Sequence, residues 1–180
     1  ILAEEAYAIG FGDEEIFVAK GNLVTVFDLD GELLKTIEVE APMSAITTIG
    51  DLVIAAISNG PILVYDDMTG DPKPLAMRAT PSSPATRIVA GPAETVAAGF
   101  ANGEIALWDS ATGAMLIRAR LHGGITHLRS SPSGLVAASE LGQFLDWDLS
   151  ALVEPRDEFM DDVRSAVPAV WEHGRAVARD

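Results

Sequence analysis

An aromatic residue followed by aspartate recurs four times along the chain, as Phe27-Asp28, Tyr65-Asp66, Trp108-Asp109 and Trp147-Asp148. The intervals are 38, 43 and 39 residues. A period near 40 residues constrains a fold strongly, because each repeat must be one supersecondary unit that buries its apolar face only against its neighbours. The flanks repeat in register. Six and five residues before each aromatic stands a turn dipeptide: Gly21-Asn22, Asn59-Gly60, Asn102-Gly103 and Leu141-Gly142. Asn-Gly favours positive φ at both turn centres, so these dipeptides predict type I′ hairpins.

Short apolar runs surround each turn. The run before it reads Ile16 to Ala19, Leu52 to Ala56, Thr95 to Ala98 and Leu135 to Ala138. The run after it reads Leu23 to Phe27, Ile62 to Tyr65, Ile105 to Trp108 and Phe144 to Trp147. A first strand precedes each pair: Tyr7 to Phe11, Ile46 to Ile49, Thr86 to Val89 and Ile125 to Leu128. A second turn follows at Gly31, Thr69-Gly70 and Thr112-Gly113, and an outer strand follows that, as at Leu33 to Ile37 and Met115 to Arg118. Near-continuous apolar runs in the second and third strands fit sheets covered on both faces. Four strands per period of about 40 residues is the pattern of a propeller blade. The expected fold is therefore all-β: a β-propeller fragment of about four and a half four-stranded antiparallel blades. Their approximate bounds are 6–40, 44–79, 84–120 and 122–160, with a partial blade at 163–180. Phe27, Tyr65, Trp108 and Trp147 are its structural anchors, each expected to fill the interior of its own blade.

The motifs resemble those of the WD-repeat family of β-propellers. In the fourth unit His122-Gly123 stands where the family has Gly-His, Ser131-Pro132-Ser133-Gly134 resembles its Ser-Pro-Asp-Gly turn, and Trp147-Asp148 is its signature pair. The third unit keeps Asn102-Gly103 and Trp108-Asp109. The family's hydrogen-bonded set of His, Ser or Thr, Asp and Trp is mostly missing: Leu141 and Asn102 occupy its Asp position, and Ala137, Ala98 and Ala55 its Ser/Thr position. These blades should hold by packing. The resemblance implies a non-enzymatic protein-interaction, sensing or scaffold module within a longer multidomain protein.

A fifth unit begins with Val163 to Val170, a turn at His173-Gly174 and a strand at Arg175 to Ala178. The acidic stretch 154–162 reads as a weak edge strand or loop, with Pro155 and its charges opposing added pairing. An arc of this size leaves apolar blade faces open. The expected partners are the remainder of its own propeller, a protein partner, or a second copy docked through those faces.

Charge narrows the alternatives. The 180 residues carry 27 Asp and Glu against 12 Lys and Arg, a net charge of −15. Such a surface opposes binding to nucleic acid or to an anionic membrane. The absence of cysteine excludes disulfides, thiolate metal sites and a thiol nucleophile. No apolar run is long enough to span a membrane, and no basic-then-apolar leader opens the chain, so a cytoplasmic location is expected. Residues 73–129 differ from the rest, with six bases against three acids. Arg118 and Arg120 lie two residues apart on one outer strand and share a face, which makes them the candidate grip for an acidic partner. Arg78, Arg87 and Arg129 complete the basic set.

Catalytic and metal readings are weak. His122, His127 and His173 show no helical i, i+4 pairing, and His127, in mid-strand, is expected to be a packed or hydrogen-bonded core residue. Asp28 to Glu32 and Asp66-Asp67 read as turns, since no acid closes a twelve-residue calcium loop. Ser131 and Ser133 lack a nucleophile elbow. No catalytic residue, metal site or cofactor is expected. The alternative is an enzyme: Asp66 with Thr69-Gly70 and Asp109 with Thr112-Gly113 resemble the repeats of quinone-cofactor (PQQ-like) dehydrogenases. That family places a Trp soon after Thr-Gly, where this chain has Met115, Leu116 and Ile117.

Overall fold

The computed structural model describes residues 7–12, 14–39, 41–65 and 75–153, residue 166, and the backbone of two strands at 169–172 and 175–178. Four antiparallel sheets follow one another along the chain. The first is β1 (Tyr7–Phe11), β2 (Glu15–Lys20), β3 (Leu23–Asp28) and β4 (Leu33–Glu38). The second is β5 (Met43–Ile49), β6 (Leu52–Ile57), β7 (Ile62–Tyr65) and the short β8 (Leu75–Ala76). The third is β9 (Ala85–Ala90), β10 (Thr95–Phe100), β11 (Glu104–Asp109) and β12 (Met115–Arg120). The fourth has three strands, β13 (Ile125–Ser131), β14 (Gly134–Ser139) and β15 (Phe144–Asp148), then a single helical turn, α1 (Ser150–Val153). A two-stranded sheet, β16 (Ala169–Glu172) with β17 (Arg175–Ala178), ends the described chain. In every sheet the strands pair in sequence order. The expected acidic edge at 154–162, the turn Asp66-Asp67 and His173 lie outside the described residues.

Strand register sorts every side chain into a leading face, toward the preceding sheet, or a trailing face, toward the next one, because directly paired residues share a face. The row Thr48, Val53, Tyr65 of the second sheet matches Ala90, Val96, Trp108, Met115 of the third and Ser130, Leu135, Trp147 of the fourth. The first sheet's row is Phe11, Ile16, Phe27, Leu33. Trailing rows have the same form, such as Phe17 with Val26 and Ile54 with Val64.

The core therefore lies between sheets. Phe17, Val24 and Val26 of the first sheet pack with Ile46, Val53, Ala55 and Tyr65 of the second. Ile54, Ile62 and Val64 pack with Ile88, Val96, Ala98 and Trp108 of the third. Ala97, Ile105 and Leu107 pack with Ile125, Leu128, Leu135 and Ala137 of the fourth. Alanine and glycine on the second strands allow close approach: a Cβ on Gly99 would lie 2.4 Å from Ile125 Cγ2. The strands β10 and β11 are buried almost throughout because both their faces meet a neighbour, while β12 alternates between half-buried and exposed as an outer strand should. Side chains also bond across the joints, with Thr48 Oγ1 donating to Phe11 O at 2.7 Å and Thr86 Oγ1 to Ile125 O at 2.6 Å.

Two expectations need correction. A blade is one sheet thick and has no interior, so the aromatic anchors fill joints between blades. Trp108 is fully buried there and Tyr65 nearly so, while Trp147 and Phe27 are each half-buried, Phe27 on a face that meets no sheet among the described residues. The Asn-Gly turns are not type I′ either. At Asn59-Gly60 only Asn59 has positive φ, 58°. At the two corresponding turns Gly103 N–H donates to Phe100 O, Gly142 N–H donates to Ser139 O, and only the final glycine has positive φ, 85° and 77°. That is a three-residue loop ending in a left-handed glycine. Both central residues take positive φ instead at Ala93 (51°) and Glu94 (55°), with no Asn or Gly to announce it.

Candidate functional site

Among the described residues, the aspartates after Phe27, Trp108 and Trp147 each accept backbone N–H bonds from the segment that follows. Asp109 Oδ1 accepts from Thr112 N–H at 2.7 Å and from Thr112 Oγ1 at 2.6 Å, and these bonds hold its carboxyl below the ordinary carboxylate range. Asp28 Oδ1 accepts from Asp30 N–H and Glu32 N–H at 3.0 and 2.8 Å, so the loop that superficially resembles a calcium site spends its first acid on its own backbone. Asp148 Oδ1 accepts from Ser150 N–H at the start of α1, and its carboxyl is lowered for that reason. Aromatic and acid are adjacent because one fills a joint while the other shapes the next bend.

The hairpin tips between second and third strands share a rim with the linkers between blades. The tips are tied down repeatedly: Ser58 N–H donates to Pro42 O, Ala101 N–H to Pro84 O and Glu140 N–H to Gly124 O, at 2.8 to 3.0 Å. The linkers are tied as well, through Val39 N–H to Asn22 O, Met77 N–H to Ile62 O and Leu121 N–H to Gly103 O. A rim built this way is rigid, and it opens two clefts at corresponding places. One, of about 290 Å³, lies between Asn59-Gly60-Pro61 and Met77, Thr80, Pro81 and Ser82. The other, of about 420 Å³, lies between Asn102 and the linker Arg120 to Gly123.

Charge sits beside the second cleft. Glu104 is buried in β11, with Ala106 and Trp108 on the same face. It is ion-paired with Arg118 and accepts from Asn102 Nδ2 at 2.8 Å. The Arg118 bond, then the Asn102 bond, lowers its pKa against the opposing effect of burial. Register confirms that Arg118 and Arg120 share a face, opposite Ala106 and Glu104 respectively. Their roles differ: Arg118 is committed to Glu104, while Arg120 borders the cleft with Asn102 and His122. Glu104 was not legible as an anchor; its one signal was an acid opening a strand whose next four residues, Ile105 to Trp108, are apolar.

The other basic and polar candidates are dispersed. Arg78 supplies its backbone carbonyl to Trp108 Nε1–H at 2.8 Å, which takes the place of a bond within the blade. Arg87 is exposed and donates to Thr86 O. Arg129 and His127 are exposed on the trailing face of the fourth sheet. His127 is thus not the core residue expected, packed or hydrogen-bonded, since a core position needs a neighbouring blade to make it one. His127 Nδ1 lies 3.0 Å from Thr126 Oγ1. His122 is exposed in its linker, and its N–H donates to Gln143 Oε1. Ser131 Oγ bonds Gly134 O within its turn and Ser133 is exposed. Met115, where a quinone-binding propeller would place its Trp, packs on the core between the second and third sheets. Among the described residues no group of three His, Asp or Glu side chains could hold a metal ion, and no helix is long and apolar enough to cross a membrane.

Solved structures share this architecture. The computationally designed Ika4 protein superposes with a TM-score of 0.68 at 21% identity, over 81% of this chain and 92% of its own. The designed Ika8 protein gives 0.66 at 21% identity, over 78% of this chain and 45% of its own. The β-propeller domain of Cps50 (Swd1) from Myceliophteria thermophila gives 0.60 at 18% identity, over 73% of this chain and 48% of its own. The chain thus spans about half the length of the last two. No family model matches the sequence, and no curated protein matches it. At these identities the likeness establishes the fold: the chain is an array of β-propeller blades whose ring is not closed.

Proposed function

We propose that the chain is a non-enzymatic binding module of divergent WD-repeat type, which presents its tip-and-linker rim to a protein partner. The observation that carries this reading is the rim itself. Six repeated backbone hydrogen bonds hold its tips and linkers, and the Arg120 and His122 cleft opens on it. A preformed surface binds at low entropic cost, and a cationic cleft on a chain of net charge −15 selects acidic segments. The four aromatic anchors Phe27, Tyr65, Trp108 and Trp147, at matching register positions in their sheets, support the WD-repeat assignment. Such a module suits the sensing or scaffold part of a longer multidomain protein in the cytoplasm.

Photo-crosslinking tests the proposal. A photoreactive residue at Ser82 or His122 should join the chain to the same partner protein in extracts of the source organism. The same residue at Asp30, in the turn between β3 and β4, should not. Equal capture from both places, or capture unchanged by Arg120→Glu, would remove the rim as the binding surface.

A further inference from the structure

The two clefts of the rim belong to neighbouring sheets and share a wall. Ser82 lines the first and Asn102 lines the second. Between them Ser83 Oγ accepts from Asn102 N–H at 3.1 Å, and Pro84 O accepts from Ala101 N–H at 3.0 Å. A chain lying across that wall reaches both clefts at once. Glycine lets tip and linker meet closely beside the second: a Cβ on Gly103 would lie 2.2 Å from Leu121 O and 2.6 Å from Gly123 O.

Their chemistry differs. Among the described residues no charged side chain lines the first cleft, Met77 and Pro81 in its wall are buried, and the Thr80 hydroxyl is spent on Met77 O at 2.9 Å. The second cleft carries Arg120. Glu104 stands opposite it in register, but that acid is buried and committed to Arg118 and Asn102. Among the described residues the exposed Arg120 guanidinium has no hydrogen bond or ion pair. Its planar fork suits a carboxylate, gripped by two parallel bonds. Glu140 is close by, with its Oε1 on Gly124 N–H at 3.0 Å, and the whole chain carries −15. A run of acids or a nucleic acid is therefore repelled where one carboxylate is held.

We propose that the partner of this rim presents an extended segment with one apolar side chain and one carboxylate three or four residues apart, the apolar group in the Met77 and Pro81 cleft and the carboxylate on Arg120. This rests on the reading of the rim as the binding surface, and it adds what the partner must carry and at what spacing. Packed sheets stand roughly 10 Å apart, and an extended chain advances roughly 3.3 Å per residue, so equivalent places on neighbouring blades are about three to four residues apart. The clefts hold about 290 and 420 Å³. Ligand pockets run from roughly 300 to 1,000 Å³, so each cleft takes a side chain and neither a large cofactor. Two weak contacts on one backbone reinforce each other only when the spacing lets both form.

Titration of the full, isotope-labelled chain with synthetic peptides, followed by amide NMR shifts at neutral pH, tests this. The probes are end-capped Gly/Ser peptides with one Leu and one Glu set one, four or eight residues apart, in both orders. With the spacing of four, in one of the two orders, the amides of Thr80 and Ser82 and those of Leu121 and His122 should shift together. That peptide should bind at least fivefold more tightly than its Leu→Ser or Glu→Gln form and than the peptide with adjacent Leu and Glu. Arg120→Gln should remove the gain from Glu and keep the shifts at Thr80; Arg120 is exposed, so circular dichroism should show the variant folded. Shifts at Leu121 and His122 that depend on Glu alone, whatever the spacing, overturn the two-cleft proposal and leave the rim as the binding surface. Leucine-dependent shifts at the exposed Ile9 and Phe11 with none at Thr80 overturn it too. No shift at either cleft with millimolar peptide overturns both this proposal and the rim reading.

Discussion

Replacing Trp108 with alanine tests whether the joints between blades carry the stability. The indole is fully buried, lies edge-to-face with Phe100 at 6.3 Å between centroids and 66° between planes, and donates through Nε1 to Arg78 O across the joint. Aromatic-to-alanine changes in cores cost ~3–5 kcal/mol. Loss of the hydrogen bond and the stranding of Arg78 O add ~1 kcal/mol. The expected loss is therefore ~4–6 kcal/mol, comparable with the whole stability of many domains. Trp108→Phe keeps most of the packing and should cost ~1–2 kcal/mol. Phe27→Ala alters the corresponding position of the first sheet, whose joint is empty, and should cost ~1 kcal/mol or less in dilute, monomeric protein. Urea unfolding followed by far-ultraviolet circular dichroism gives all three values. Equal costs at Trp108 and Phe27 would show that the anchors act within their own sheets, and the argument from joints would fail.

Four further outcomes follow from the structure. Gly103→Ala should destabilise by well over ~1 kcal/mol in a thermal melt, since φ is +85° and the new Cβ would lie 2.2 Å from Leu121 O; Gly21→Ala, at φ +61° in open space, should cost only ~1 kcal/mol. Replacing Ala93-Glu94 by Asn-Gly should raise stability by ~1–2 kcal/mol, because both positions hold left-handed backbone without glycine or asparagine; an unchanged melting temperature would refute the assigned turn. The lowered carboxyls of Glu104 and Asp109 contribute stability that is present above their unfolded-state pKa and is lost as pH falls through the folded-state values. Arg118→Ala should raise the Glu104 pKa in a carboxyl-resolved NMR titration and flatten that acid loss, and an unmoved Glu104 resonance would contradict the pairing.

Much of this architecture was legible because blades are local. Each strand triple closes by short hairpins, so turn residues and apolar runs such as Leu52 to Ala56 and Ile105 to Trp108 mark the strands before any long-range contact is known. The aromatic–Asp pair marked the third strand's end in each unit, since the acid's bond to its own turn is also local, as with Asp109 and Thr112. The turns at Gly103 and Gly142 depart from type I′ because strand register leaves three loop residues in each and not two, which the dipeptides alone do not show. The Arg118 and Arg120 pairing was visible as a shared face. The capture of Arg118 by Glu104 was not, since those residues lie on different strands and meet only through register.

Periodicity, turn chemistry and strand length were written in the order of residues, and those alone determined that the chain makes successive antiparallel sheets. Tertiary structure decided what each face of those sheets becomes. Ile9 and Ile46 have the same residue type at the same position in their sheets, and only the presence of a preceding sheet makes one core and leaves the other open. Burial belongs to a pair of surfaces, so a repeat can specify the form of a joint without specifying what fills it.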